Sequence, residues 1–259
     1  MHIYRINFLF LMLVAISNAY ASYYPTSSWE ISSPEDQQVR AENVDALVNL
    51  AFIDDSTQAV VVIKNGKIIS EKYAEGYDKN SHGTSWSMAK SYYAALIGIS
   101  IDKGEIGSLD DKVGDYLTYF NDERSEITIR DLLDMSSGLD FPKDEHETMF
   151  FQEDHLKYAM GVGVEKSAGL KFEYNNVNSM LLGDILIAAT GKKADLLLKE
   201  RILDHIGVTD YKLWKDENGN VLTYCCVDMS ARDYSKIGLL FSRNGNWDGK
   251  QLISKQYID

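Results

Sequence analysis

Ser85-Trp86-Ser87-Met88-Ala89-Lys90-Ser91, with the apolar run over residues 92–101 and Gly104 behind it, is the stretch on which the reading of this chain turns. Residues 87–103 carry apolar side chains at helical spacing, and a glycine suits the end of such a helix. Residues three apart lie on one helix face, so the Ser87 hydroxyl and the Lys90 amine meet there. A serine hydroxyl is a weak nucleophile until a neighbouring base takes its proton. A lysine serves as that base only when burial or nearby cations lower its pKa. The start of a helix also offers backbone N–H groups to a developing oxyanion. Ser87 is thus the candidate nucleophile and Lys90 its base.

Spacing alone is weak, because Ser100-Ile101-Asp102-Lys103 repeats it. That pair comes late in the same helix and reads as solvated surface. Ser87 instead follows a polar loop at the helix start. A second element is Tyr174-Asn175-Asn176. A tyrosine beside a lysine can share its proton and pass it to a leaving group, and an asparagine amide can hold a substrate carbonyl. Tyr119-Phe120-Asn121 repeats this pattern inside an apolar–aromatic run and reads as packing. Tyr174 precedes a new helix, at a loop position of the kind that displays functional groups.

Upstream, residues 59–63 form a nearly pure β-branched run, and residues 67–73 return as its partner across Asn65-Gly66, a strong hairpin turn. Helical spacing covers residues 39–52. Further helices are predicted over 177–190, closed by Gly191, over 193–205, and from Ser230 and Asp233 to about residue 243. Start signals occur at Ser108 with Asp111 and at Thr128 with Asp131. Two strands followed mostly by helices indicate an α+β layout. The sheet looks unfinished, and another helix begins over 253–257, so further strands are expected beyond Asp259.

The 259 residues are 45% hydrophobic and 25% charged, an ordinary globular composition. Residues 1–21 differ: a weakly basic start, an apolar run over 6–16 and Ala19-Tyr20-Ala21 read as a signal peptide. The expected organisation is that leader followed by one domain over 22–259, exported to the periplasm or beyond, with no membrane span after cleavage. The formal charge of −13 argues against nucleic acid, whose phosphates need Lys and Arg. Cys225 and Cys226 are adjacent, a spacing that seldom gives a relaxed disulfide, and are expected to be two semi-buried small residues. His146 and His155 lie in an acidic stretch and read as a solvated loop and helix face rather than a metal site. Neither a G-x-S-x-G elbow nor an H-E-x-x-H zinc signature is present.

Taken together, these stretches resemble the serine β-lactamase-related family, with its class C β-lactamases, carboxylesterases and 6-aminohexanoate-dimer hydrolases. The resemblance covers about residues 58–255. It runs through residues 85–91, Ser108-Leu109-Asp110-Asp111, Ile127-Thr128-Ile129-Arg130-Asp131-Leu132-Leu133, Ser136-Ser137-Gly138-Leu139, the surroundings of Tyr174 and Asn176, and Met229-Ser230-Ala231-Arg232-Asp233. It implies a β-lactamase/transpeptidase-like fold, in which an antiparallel sheet flanked by helices packs on a mainly helical region. It also implies a covalent acyl-enzyme: Ser87 attacks a carbonyl, Lys90 and Tyr174 manage the protons, Asn176 orients the substrate, and no metal or organic cofactor takes part. The family's third motif, a Lys or His before a small residue and Gly on a late strand, has no credible match here. Lys64-Asn65-Gly66 is a turn, and Lys236-Ile237-Gly238 falls in a helix, so the motif is expected beyond Asp259.

The reading is an amide or ester hydrolase acting on a small molecule. The alternatives are D-alanyl-D-alanine carboxypeptidase or β-lactamase activity, or a non-hydrolytic penicillin-binding-type sensor. Residues 91–102, Met135-Ser136-Ser137-Gly138 and 229–240 lean toward the carboxylesterase and 6-aminohexanoate-dimer branch. Trp86 and residues 168–172 are expected to help decide the substrate.

Overall fold

The computed structural model describes residues 23–25, 27–140 and 148–259. The expected signal peptide and His146 lie outside the described residues.

The first helix, α1 (Ala41–Ala51), buries Val44 and Val48 against the hairpin of β1 (Ala59–Lys64) and β2 (Lys67–Tyr73). Asn65 and Gly66 both take positive φ, 53° and 83°, which a two-residue turn between right-twisted strands requires. The strands pair antiparallel from Ala59 with Tyr73 to Lys64 with Lys67. The next strand, β3 (His82–Thr84), runs into a 3-10 turn at Trp86–Met88 and then into α2 (Ala89–Asp102).

Two helices carry the centre. In α2, Tyr92, Tyr93, Leu96, Ile97 and Ile99 are all buried, so apolar side chains point in every direction, as in a helix surrounded by protein. It packs along α5 (Asn176–Thr190), which is similarly enclosed. Between them in sequence lie α3 (Ile129–Leu133) and α4 (His155–Gly161). The capping box predicted at Thr128 and Asp131 forms in both directions at the start of α3. Each fully buried Leu or Ile of this core contributes about 1.5–3 kcal/mol.

After α5, α6 (Ala194–Leu198) continues as a π-helical turn to Leu203, so the single helix predicted over 193–205 is two segments. Next come β4 (Tyr211–Leu213) and β5 (Val227–Ser230). Helix α7 (Ala231–Ser242) starts where the Ser230 hydroxyl accepts from Asp233 N, as the sequence predicts. A small hairpin of β6 (Asn246–Trp247) and β7 (Lys250–Gln251) precedes α8 (Lys255–Ile258). The start signal at Ser108 gives a turn instead of a helix, with the serine hydroxyl donating to Asp111 Oδ1 at 2.9 Å.

The architecture is the predicted α+β, in the β-lactamase/transpeptidase-like arrangement of small antiparallel sheets and helices. Beyond the predicted hairpin, the described residues hold a three-stranded sheet in the order β3-β5-β4. Strands of three or four residues leave too little length for an alternating pattern, so periodicity does not find them. Helix α7 covers the second face of β1, and its Arg232 forms a two-pronged ion pair with Glu71 on β2. Among the described residues, no helix is long and apolar enough to cross a membrane.

Candidate active site

Strand β3 and the β5 loop build the platform for Ser87. Antiparallel pairing of β3 with β5 ends at Thr84 opposite Asp228. The ladder continues one step, with Ser85 N donating to Val227 O at 2.8 Å. The buried Ser85 hydroxyl accepts from Val227 N at 2.9 Å and donates to Trp86 O at 3.1 Å. Cys226 N donates to the same Trp86 carbonyl at 3.3 Å. These bonds hold the peptide before Ser87, where Trp86 takes a positive φ of 44°. A bulky residue in that region is an outlier, with a cost of about 1–3 kcal/mol that the surrounding bonds must offset.

Ser87 is exposed, and Lys90 lies one turn on, partly buried. Lys90 Nζ is 3.1 Å from Ser87 Oγ and donates to Tyr224 O at 2.6 Å. Its ammonium position also lies 4.9 Å from the centre of the Tyr174 ring. Among the described residues no carboxylate forms an ion pair with it. Burial pulls the amine down to about 7 from the usual lysine range, because a charged ammonium loses its water there. A neutral amine is then available near neutrality to accept the serine proton.

Tyr174 reaches Ser87 from the far side of the site, its hydroxyl donating to Oγ at 2.6 Å. Its backbone is set by the preceding loop, in which Glu173 N donates to Met135 O at 2.7 Å and the Glu173 carboxylate binds Lys166 and Lys171. The following residue, Asn175, caps α5 by accepting from Val177 N and donates to Leu139 O. Gly138 makes the loop possible: its φ is 72°, and a Cβ there would fall 2.0 Å from Lys166 O. The Ser136-Ser137-Gly138 phrase therefore acts as scaffolding for Tyr174. Ser137 extends this, donating to Asn178 on α5 at 2.7 Å.

The structure thus brings Ser87, Lys90 and Tyr174 together. Asn176 opens α5 and makes no hydrogen bond to those three; its Oδ1 is buried without a partner. A buried acceptor left open is uncommon in a folded chain.

Several expectations change. Cys225 and Cys226 are joined as a vicinal disulfide and are buried, where two semi-buried separate residues were expected. Their loop carries Tyr224 O, Cys226 N and Val227 N, so its turn is fitted to the site. His155 is buried rather than solvated, its Nδ1 3.0 Å from the Tyr224 hydroxyl, and burial lowers its pKa. Ser100 is also buried, so its pair with Lys103 is not solvated surface as expected. Its hydroxyl accepts from Arg201 at 2.9 Å, while Lys103 is exposed. Tyr119 packs against Phe120 and donates to Asp184, as its packing role requires. Sequence reasoning missed Tyr224, because a backbone carbonyl leaves no mark in side-chain identity. Among the described residues, no cluster of His, Cys, Asp or Glu could hold a metal ion.

The sequence matches the beta-lactamase family over residues 52–234. It is similar to the N-acetylmuramyl-L-alanine amidase of Bacillus subtilis, 25% identical over 174 residues, which are 55% of this chain and 39% of that one. It is also similar to a protein of Escherichia coli O157:H7 provisionally named a D-alanyl-D-alanine carboxypeptidase, 25% identical over 78% of this chain and 54% of the relative. Among solved structures, a Bacillus anthracis protein provisionally named a 6-aminohexanoate-dimer hydrolase superposes with a TM-score of 0.75. That pair is 21% identical and covers 91% of this chain and 67% of the other, a likeness of fold. The chain therefore spans about half, or less, of the length of these two curated relatives.

Proposed function

Because the chain belongs to the beta-lactamase family, we propose that it is a serine hydrolase that cleaves an amide or ester bond through an acyl-enzyme on Ser87. The observation that carries this reading is the position of Ser87 Oγ between two proton-handling groups, Lys90 Nζ at 3.1 Å and the Tyr174 hydroxyl at 2.6 Å. Lys90, neutral above about pH 7, takes the hydroxyl proton as Oγ forms its bond to the substrate carbonyl. Tyr174 gives a proton to the departing nitrogen or oxygen as the scissile bond breaks, and regains one from Lys90. Water, activated by the same pair, then releases the acyl group and restores Ser87. Asn176, at the start of α5 two residues after Tyr174, is the residue proposed to orient the substrate.

The amidase and carboxypeptidase names of the relatives make an amide bond the first substrate class to screen. Export to the periplasm or beyond remains part of the proposal, resting on the sequence of residues 1–21.

The test is covalent labelling with a fluorophosphonate, the adduct mapped by mass spectrometry with Ser87→Ala as control. The expected result is one adduct on Ser87, lost in the variant, together with steady hydrolysis of an ester. A folded protein with no adduct, or an adduct on Ser100, overturns the mechanism. An adduct on Ser87 without turnover of any ester or amide favours a penicillin-binding-type sensor.

A further inference from the structure

Beside the nucleophile stands a side chain that the proposed chemistry does not use. Trp86 is 59% exposed, although it directly precedes Ser87. Tryptophan carries a large apolar surface and is enriched at contact surfaces. The indole N–H groups of Trp29 and Trp214 are both satisfied inside the protein, by Arg232 O and by Asp228. No such bond forms for Trp86 among the described residues, and the residue is exposed.

The backbone sharpens the point. At φ 44°, position 86 favours glycine, which reaches that region without strain. Whatever the position gains from an indole must come through the side chain. Its backbone is held, because the Trp86 carbonyl accepts from the Ser85 hydroxyl and from Cys226 N. The indole is also backed. Trp214 lies 6.3 Å away at 53°, anchored by its own bond to Asp228 at 2.8 Å. Phe150 follows at 6.4 Å from Trp214, with the exposed Phe151 against it.

We propose that Trp86 is a specificity residue: its indole, braced by Trp214, forms an apolar wall beside Ser87 that selects substrates with an extended apolar group next to the scissile carbonyl. This rests on Ser87 being the nucleophile. The wall presents aromatic rings, with the Asp228 carboxylate behind them as partner of the Trp214 indole, so it favours aliphatic or aromatic substituents over anionic ones. Longer substituents cover more of it and bind more tightly in the transition state.

The experiment compares the full-length protein with Trp86→Gly and Trp86→Ala. Two ester series are used: p-nitrophenyl esters with acyl chains from acetate to octanoate, and acetate esters of lengthening alcohols. Wild type should prefer the longer chain in one series, which also tells which side of the carbonyl meets the wall. Both variants should lose about tenfold more kcat/KM on the long member of that series than on the short one. Trp86→Gly should melt higher than Trp86→Ala, because it alone relieves the left-handed backbone. A loss shared by both variants assigns the effect to the indole. An unchanged length profile in both variants, an equal loss at all lengths, or a wild type without length preference overturns the proposal. Fluorophosphonate labelling of Ser87 in all three proteins keeps these outcomes distinct from failure of the hydrolase reading, in which wild type takes no label at all.

Discussion

The two ends of α2 carry the same motif in opposite settings. At its start, Ser87 is exposed and Lys90 is withdrawn from water; at its end, Ser100 is buried and Lys103 is exposed. The difference lies in the partners. Lys90 meets a carbonyl, two aromatic rings and, among the described residues, no carboxylate, and burial brings its amine to about 7. Ser100 meets the guanidinium of Arg201, itself forked onto Glu105 at 2.7 Å on both prongs. Ser100 is thus tied into the Arg201–Glu105 pair and buried away from solvent, from which a substrate would arrive. Spacing proposes such pairs, and burial of the amine together with exposure of the hydroxyl selects between them.

The contrast breaks most readily with serine variants. Ser87→Ala should lower kcat by about 10⁴-fold or more, as loss of a nucleophile does elsewhere, while Ser100→Ala should leave ester hydrolysis within about twofold of wild type. Hydrolysis assays on the two variants decide it, and equal losses would erase the distinction drawn between the sites.

Next in size is Lys90→Met, for which a fall of about 10²–10⁴-fold is expected. In wild type, kcat/KM should rise with pH through an apparent value near 7 as the amine loses its proton, and the variant should lack that limb. Wild-type stability should also rise with pH. The folded pKa lies below the unfolded one, so the unfolded chain binds more protons between about pH 7 and 10.5, and wild-type stability rises across that window. Below pH 7 the burial penalty is fully present, so Lys90→Met should melt higher than wild type there. A variant that loses activity and stability together would indicate a structural lysine instead.

Tyr174→Phe removes one hydroxyl and should lower kcat by about 10²-fold with little change in KM, read from steady-state kinetics. The smallest effect belongs to the far end of α2. Ser100→Ala strips a partner from Arg201 and should cost about 1–2 kcal/mol in denaturant unfolding. Lys103→Ala should stay within about 0.5 kcal/mol of wild type.

Much of the fold was legible because its signals are local. The Asn65-Gly66 turn, the Thr128–Asp131 box and the Ser230 cap each depend on residues within a few positions of one another. The sheet β3-β5-β4 was not legible, since its pairing joins His82 to Ser230 across a long separation through strands too short to show alternation. The burial of His155 was missed for a similar reason: its partner Tyr224 lies 69 residues on, and a polar local sequence says nothing of it.

At the candidate site the same division holds. The sequence by itself determined which groups could do the chemistry, Ser87 with Lys90 on one helical turn and Tyr174 before α5, because one-turn spacing and helix starts are short-range properties of a chain. Only the tertiary structure decided that Tyr174 reaches Ser87 Oγ, that the Tyr224 carbonyl holds Lys90, and that the disulfide loop fixes the turn before Ser87. Those contacts join residues 87 to 142 positions apart, and several run through backbone atoms that every residue shares. A lysine's pKa follows from the water it loses when such distant segments close over it, so the sequence supplied the amine and the packing lowers its pKa.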